Sequence, residues 1–64
     1  MTYFEIGALM KQNREDANIS LQQVAKFVGV NIQTIIMWEN GINENMNFKQ
    51  LCLYAQAIGK KVVL

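Results

Sequence analysis

The stretch from Ser20 to Gly41 limits what this chain can fold into more than any other part of it. The runs Leu21 to Val28 and Ile32 to Glu39 each place apolar residues at helical spacing, and only Gly29-Val30-Asn31 separates them. Two helices joined by so short a segment must cross steeply, which requires small residues where their backbones approach. Ala25 and Gly29 are the small residues at hand, and Val24, Val28, Val30, Ile35 and Trp38 are spaced to fill the wedge between this pair of helices and the rest of the domain.

Cap signals punctuate the remainder. Thr2 and Glu5 stand at capping-box spacing, in which each side chain satisfies a backbone donor of a helix start, and they predict a first helix from about Tyr3. Along it Tyr3 or Phe4, Ile6, Leu9 or Met10, Asn13 and Ala17 share one face, Lys11, Arg14, Glu15 and Asp16 fall among polar positions, and Asn18 is the expected stop. Ser20 with Gln23 repeats the box before Leu21, opening a second helix that carries Val24, Ala25, Phe27 and Val28 until Gly29 halts it, and Asn31 is a cap for the third helix, which Asn40-Gly41 ends with turn chemistry. Ile42 to Met46 has no period and reads as a loop. Asn47 with Gln50 opens a last helix that carries Phe48, Leu51, Tyr54, Ala55 and Ile58 on one face and closes at Gly59. The tail Lys60 to Leu64 is too short for a helix and rich in β-branched residues, so it is either a frayed end or a single strand whose natural mate is a partner's matching tail. The expectation is one all-α domain over residues 1–64 with four or five helices and a short C-terminal strand as the alternative to a frayed end.

A chain of 64 residues buries only about 60% of the surface that its unfolded form exposes, so its stability comes from efficient packing or from a partner. With 52% hydrophobic and 17% charged residues, part of the apolar surface is expected to be covered by a second copy of the chain. The lone Cys52, flanked by leucines, reads as a small buried hydrophobe, and with no histidine in the chain neither a disulfide nor a metal or other cofactor is expected. No apolar run approaches the roughly 20 residues of a membrane span, and no basic, apolar leader opens the chain, which predicts a cytoplasmic protein. Enzymatic function is set aside because no nucleophile with a base nearby and no glycine-rich phosphate loop are visible. The net charge of +1 is weak for a chain that meets a polyanion.

From Ile6 to Ile58 the sequence resembles the phage-repressor and Cro helix-turn-helix family, with Leu21-Gln22-Gln23-Val24-Ala25, Gly29-Val30, Gln33-Thr34-Ile35 and Trp38-Glu39-Asn40-Gly41 similar to the family signature. The resemblance implies a lambda-repressor-like fold with its helix-turn-helix unit at residues 20–41, whose third helix enters the major groove of double-stranded DNA with its N-terminal side chains toward base edges. It implies that Asn31, Ile32, Gln33, Ile36 and Met37 face the groove, that Asn40 meets a phosphate, and that Arg14 and Glu39 form an internal ion pair; Leu21 takes the place of the glutamine that relatives aim at a phosphate, and Gln22 beside it is the candidate substitute. Of the groove-facing set only Asn31 and Gln33 can hydrogen-bond a base, Gln33 best because its amide can pair bidentately with adenine. Ile32, Ile36 and Met37 replace the usual polar occupants, and residues 31–48 contain no lysine or arginine. That trio suits thymine methyls in A·T-rich DNA and suits a protein partner such as a toxin equally well. The residues from Ala57 to Leu64 look like the end of antitoxin-type members, in which a C-terminal strand pairs across a two-fold axis. Two functions follow from the sequence: a dimeric, repressor-like transcriptional regulator, or the same fold used as a protein-interaction module with weak or no DNA binding.

Overall fold

The computed structural model describes residues 1–60, which form four helices: α1 (Tyr3–Asp16), α2 (Leu21–Val28), α3 (Ile32–Glu39) and α4 (Phe48–Ala57). No fifth helix and no strand occur among the described residues, and the expected C-terminal strand falls on residues 61–64, outside them. None of the described helices is long and apolar enough to cross a membrane.

Every helix start lies where its cap was expected. The Thr2 hydroxyl accepts from the Glu5 amide at 3.0 Å while Glu5 Oε1 accepts from the Thr2 amide at 2.9 Å. The reciprocal pair recurs at Ser20 and Gln23 and at Asn47 and Gln50. Asn31 caps α3 with its side-chain oxygen, 2.8 Å from the Gln33 amide. A lost cap costs roughly 1 kcal/mol, so in a chain this small the caps are a sizeable part of what fixes the boundaries. The first helix stops as expected, with Asn18 at φ +58° and the Ile19 amide donating back to the Arg14 carbonyl.

The corner between α2 and α3 departs from expectation in one respect. Gly29 does not permit a close approach of backbones, because a β-carbon placed on it would meet nothing within 4 Å. What it supplies is a left-handed backbone, φ +84°, that turns the chain out of α2 while the Gly29 and Val30 amides donate to the Ala25 carbonyl. Ala25 itself is buried, as are Val24, Val28, Ile35 and Trp38, and Val30 is half-buried.

The close approach is made elsewhere, by a residue that the sequence reading passed over. A β-carbon on Gly7 would stand 2.5 Å from the Trp38 carbonyl oxygen and 2.8 Å from that of Glu39. Gly7 therefore lets α1 seat the C-terminal turn of α3 directly against its own backbone. The buried face of α1 is Gly7, Met10 and Arg14, with Ile6, Asn13 and Ala17 half-buried, whereas Tyr3, Phe4 and Leu9 are exposed. This rotates the expected face by about one residue, because the face is organised by the α3 contact and by a charge that α3 neutralises, neither of which hydropathy registers.

α2 packs on α3 and on α4, and α1 packs on α3. Val24, Ile35 and Tyr54 are the most deeply buried large side chains, and Met10, Val28, Trp38 and Ile58 complete the core around them. Phe48, expected on the inner face of α4, is exposed, as is Phe27 on α2, while Cys52 is half-buried with a free thiol.

Candidate nucleic-acid interface

The residues singled out as groove-facing gather at the free end and outer side of α3. Asn31, Ile32 and Gln33 are exposed at its N-terminus, Met37 is exposed one turn further on, and Ile36 is half-buried between them. Gln22 on α2 and Asn40 at the C-cap of α3 are also exposed. The Asn31 side-chain oxygen, Oδ1, is already engaged as the helix cap, which leaves its side-chain NH2 as the group that can reach a ligand. Ile32 and Met37 expose 39% and 45% of their surface, enough to make this side of the helix apolar. The described cations outside the ion pair, Lys11, Lys26, Lys49 and Lys60, are all exposed, and none lies on α3.

The other end of α3 is fastened from three directions. Arg14, projecting from α1, donates from Nε to Glu39 Oε2 at 2.7 Å and from Nη2 to Oε1 at 3.1 Å, a fork meeting both carboxylate oxygens. Its remaining nitrogen, Nη1, donates to the Ile19 carbonyl at 2.9 Å, so the same guanidinium pins the segment leading into α2. Both partners are buried, with Arg14 at 7% exposure and Glu39 at 6%, and no buried side-chain polar atom among the described residues lacks a partner. That completeness decides whether such a pair is tolerated, since a buried charge is costly wherever any of its hydrogen-bonding capacity is unmet. The hydrogen bond to Glu39 drives the Arg14 guanidinium further above its ordinary range, so it is charged at every pH at which the domain folds.

Two further residues, absent from the sequence-based site, belong to this end. The Asn43 amide donates to the Trp38 carbonyl at 3.0 Å and to the Tyr3 carbonyl at 2.8 Å, tying the loop after α3 to the start of α1. The Tyr54 hydroxyl, from α4, sits 2.6 Å from Glu39 Oε2 and 3.0 Å from the Met10 carbonyl oxygen. Its single proton favours the charged acceptor. Burial, with the Glu39 carboxylate beside it, pushes the hydroxyl well above the usual tyrosine range, so it remains a donor. A buried tyrosine needs a partner for its hydroxyl, and that requirement was the available signal for Tyr54. For Asn43, buried while the neighbouring Asn45 is exposed, the sequence offers none.

Two short helices joined by the tight turn Gly29-Val30-Asn31, with one exposed and one fastened end on the second, define a class. The helix-turn-helix family model HTH_3 matches residues 10–63, and the chain belongs to that family, with the four-helix lambda-repressor-like fold and DNA as the partner that membership implies. Among solved structures, the crystal structure of apo-HppE matches with a TM-score of 0.85 and 24% identity over 95% of this chain and 34% of that one. The likeness is one of fold, and the present chain spans about a third of that longer chain. No curated protein sequence matches the chain.

Proposed function

We propose that this domain is a sequence-specific transcriptional regulator of the repressor type, which reads operator DNA with α3 as a homodimer and acts by occupying the operator against polymerase. The observation that supports it is the exposure of Asn31, Ile32 and Gln33 at the N-terminus of a helix whose opposite end is held by α1, α4 and the following loop. In this reading Gln33 pairs with the N6 and N7 edge of an adenine, and Ile32, Ile36 and Met37 lie against thymine methyl groups, so the half-site is rich in A·T pairs. Gln22 and Asn40 contact phosphates, and the exposed lysines supply the remaining electrostatic attraction. A dimer places two copies of α3 about one DNA turn, or roughly 34 Å, apart on a palindrome. The regulator needs no cofactor and carries out no catalysis.

One observation favours a second reading. No lysine or arginine lies between residues 31 and 48, and Ile32 and Met37 are exposed. A helix-turn-helix that had exchanged DNA for a protein partner, for instance a toxin in an antitoxin-like pair, would present such a face. Gel-shift titration on the DNA upstream of the chain's own reading frame, repeated across a salt series, separates the two. Saturable binding to one sequence, with affinity falling steeply as salt rises, is the expected result. Absent or salt-insensitive binding transfers the assignment to the protein-interaction module.

A further inference from the structure

We infer that Tyr54 is a positioning residue for the recognition helix: through Glu39 it sets the tilt at which α3 presents Gln33, although it stands on α4, whose backbone is not packed against α3. The inference rests on the DNA-reading role proposed for α3 and adds to it a residue that controls that role from a distance.

The packing makes the case. The α4 backbone lies against α2, not against α1 or α3. Between α4 and α1 runs an apolar groove walled by Ile6, Leu9, Met10, Leu51 and Ile58. Tyr54 reaches from α4 to both α1 and α3, and among the described residues its hydroxyl is the sole group of α4 within hydrogen-bonding distance of another helix. Without it the Glu39 carboxylate is held by α1 alone, through the Arg14 fork. A fork of that kind fixes a distance and a plane at the carboxylate, while the Gly7 seat, the Asn43 bond and the packing on α2 restrain the rest of α3; small tilts about the α1–α3 contact are the motion left for a hold from α4 to oppose. The hydroxyl approaches the same Oε2 atom from α4 and supplies the second point of support.

Rocking at Glu39 is magnified at the reading end. Gln33 lies six residues before Glu39, which at 1.5 Å per residue is roughly 9 Å along the helix. A tilt of about 10° at the fastened end displaces the reading end by on the order of 1.5 Å, several times the ~0.5 Å within which a paired hydrogen-bonding group must be held. A change too small to disturb the core is thus large enough to disturb recognition.

The test is Tyr54→Phe in the full chain, which removes one oxygen and keeps the ring. In the DNA-free protein, residual dipolar couplings report the orientation of the α3 amides relative to α1 and α2, and the Arg14 Nε–H resonance reports the ion pair. The expected result is altered or averaged α3 couplings, faster exchange of the Arg14 Nε–H, and an operator affinity lower by about ten-fold under conditions where both proteins are fully folded, the size associated with losing the alignment of one bidentate base contact. The salt dependence should be unchanged, since no phosphate contact is lost. Couplings and an Arg14 resonance identical to those of the parent overturn the inference. If the parent binds no DNA at all, the regulator reading fails by itself, and the couplings still decide whether Tyr54 sets the helix orientation. Should the variant not fold, the parent supplies the decision: a downfield, slowly exchanging Tyr54 hydroxyl proton is required, and one exchanging as fast as that of an exposed tyrosine overturns the proposal.

Discussion

At its C-terminal end α3 rests on the bare backbone of Gly7, receives the Asn43 amide at the Trp38 carbonyl and has its Glu39 carboxylate clasped by Arg14 and Tyr54, whereas at its N-terminal end a single cap from Asn31 is followed by the exposed Ile32 and Gln33. One helix thus divides two duties along its length. Orientation is set where solvent is excluded and electrostatic interactions are strong, and contact is made where side chains are free to meet a ligand. A helix of 8 residues, too short to be stable alone, here has its apolar packing centred on Ile35 and its polar tertiary anchors gathered at one end.

Substitutions at the two ends should therefore differ in kind. Glu39→Ala leaves the Arg14 cation buried without a counter-charge and is expected to cost about 3 to 5 kcal/mol. The total available to so small a domain is on the order of 3 to 10 kcal/mol. Circular dichroism during urea titration should find this variant largely or wholly unfolded, and a transition matching the parent's would show that the pair does not hold α3. Gly7→Ala comes next. Its new methyl group meets main-chain oxygens that cannot swing aside, so the helices must part, with an expected loss of about 2 to 3 kcal/mol in the same titration. A neutral outcome there would mean that α1 and α3 stand further apart than described. The smallest effect on stability belongs to Gln33→Ala, expected within about 0.5 kcal/mol of the parent as for other exposed positions. Its effect should emerge instead in gel-shift competition between operator variants, as a loss of about 1 to 3 kcal/mol of discrimination at one base pair. A Gln33→Ala protein as unstable as Gly7→Ala would erase the contrast between the two ends.

How far the sequence foretold this arrangement depends on the range of the interaction. Cap and stop signals act over three or four residues, and Thr2, Ser20, Asn31 and Asn47 all begin helices as they should. The role of Arg14 could not come from periodicity, which sets it among solvated positions, and came from the resemblance; its partner is 25 residues away, brought close only by the α1–α3 packing. For Gly7 there was a usable sign, a glycine inside an otherwise helical run, where it is unfavourable relative to alanine by about 1 kcal/mol unless packing requires it. Gly29 halts α2 as expected, but the close approach also assigned to it does not occur, since backbone angle and close approach leave the same mark in a sequence. Tyr54 was placed correctly in the core, but the destination of its hydroxyl depends on where three helices converge. Ile32, Gln33 and Met37 are exposed and Ile36 is half-buried, and which surface they meet is a matter of chemistry outside the chain.

The nearest atoms to the seat at Gly7 are main-chain atoms of α3, the Trp38 oxygen and the Glu39 carbonyl group, and those atoms are the same whatever residues the helix carries. The grip is accordingly indifferent to lettering: new side chains can be written onto the outward positions of α3, altering what the domain recognises, while the helix keeps its pitch. Binding preference in such a scaffold can drift by point substitution without passing through an unfolded ancestor.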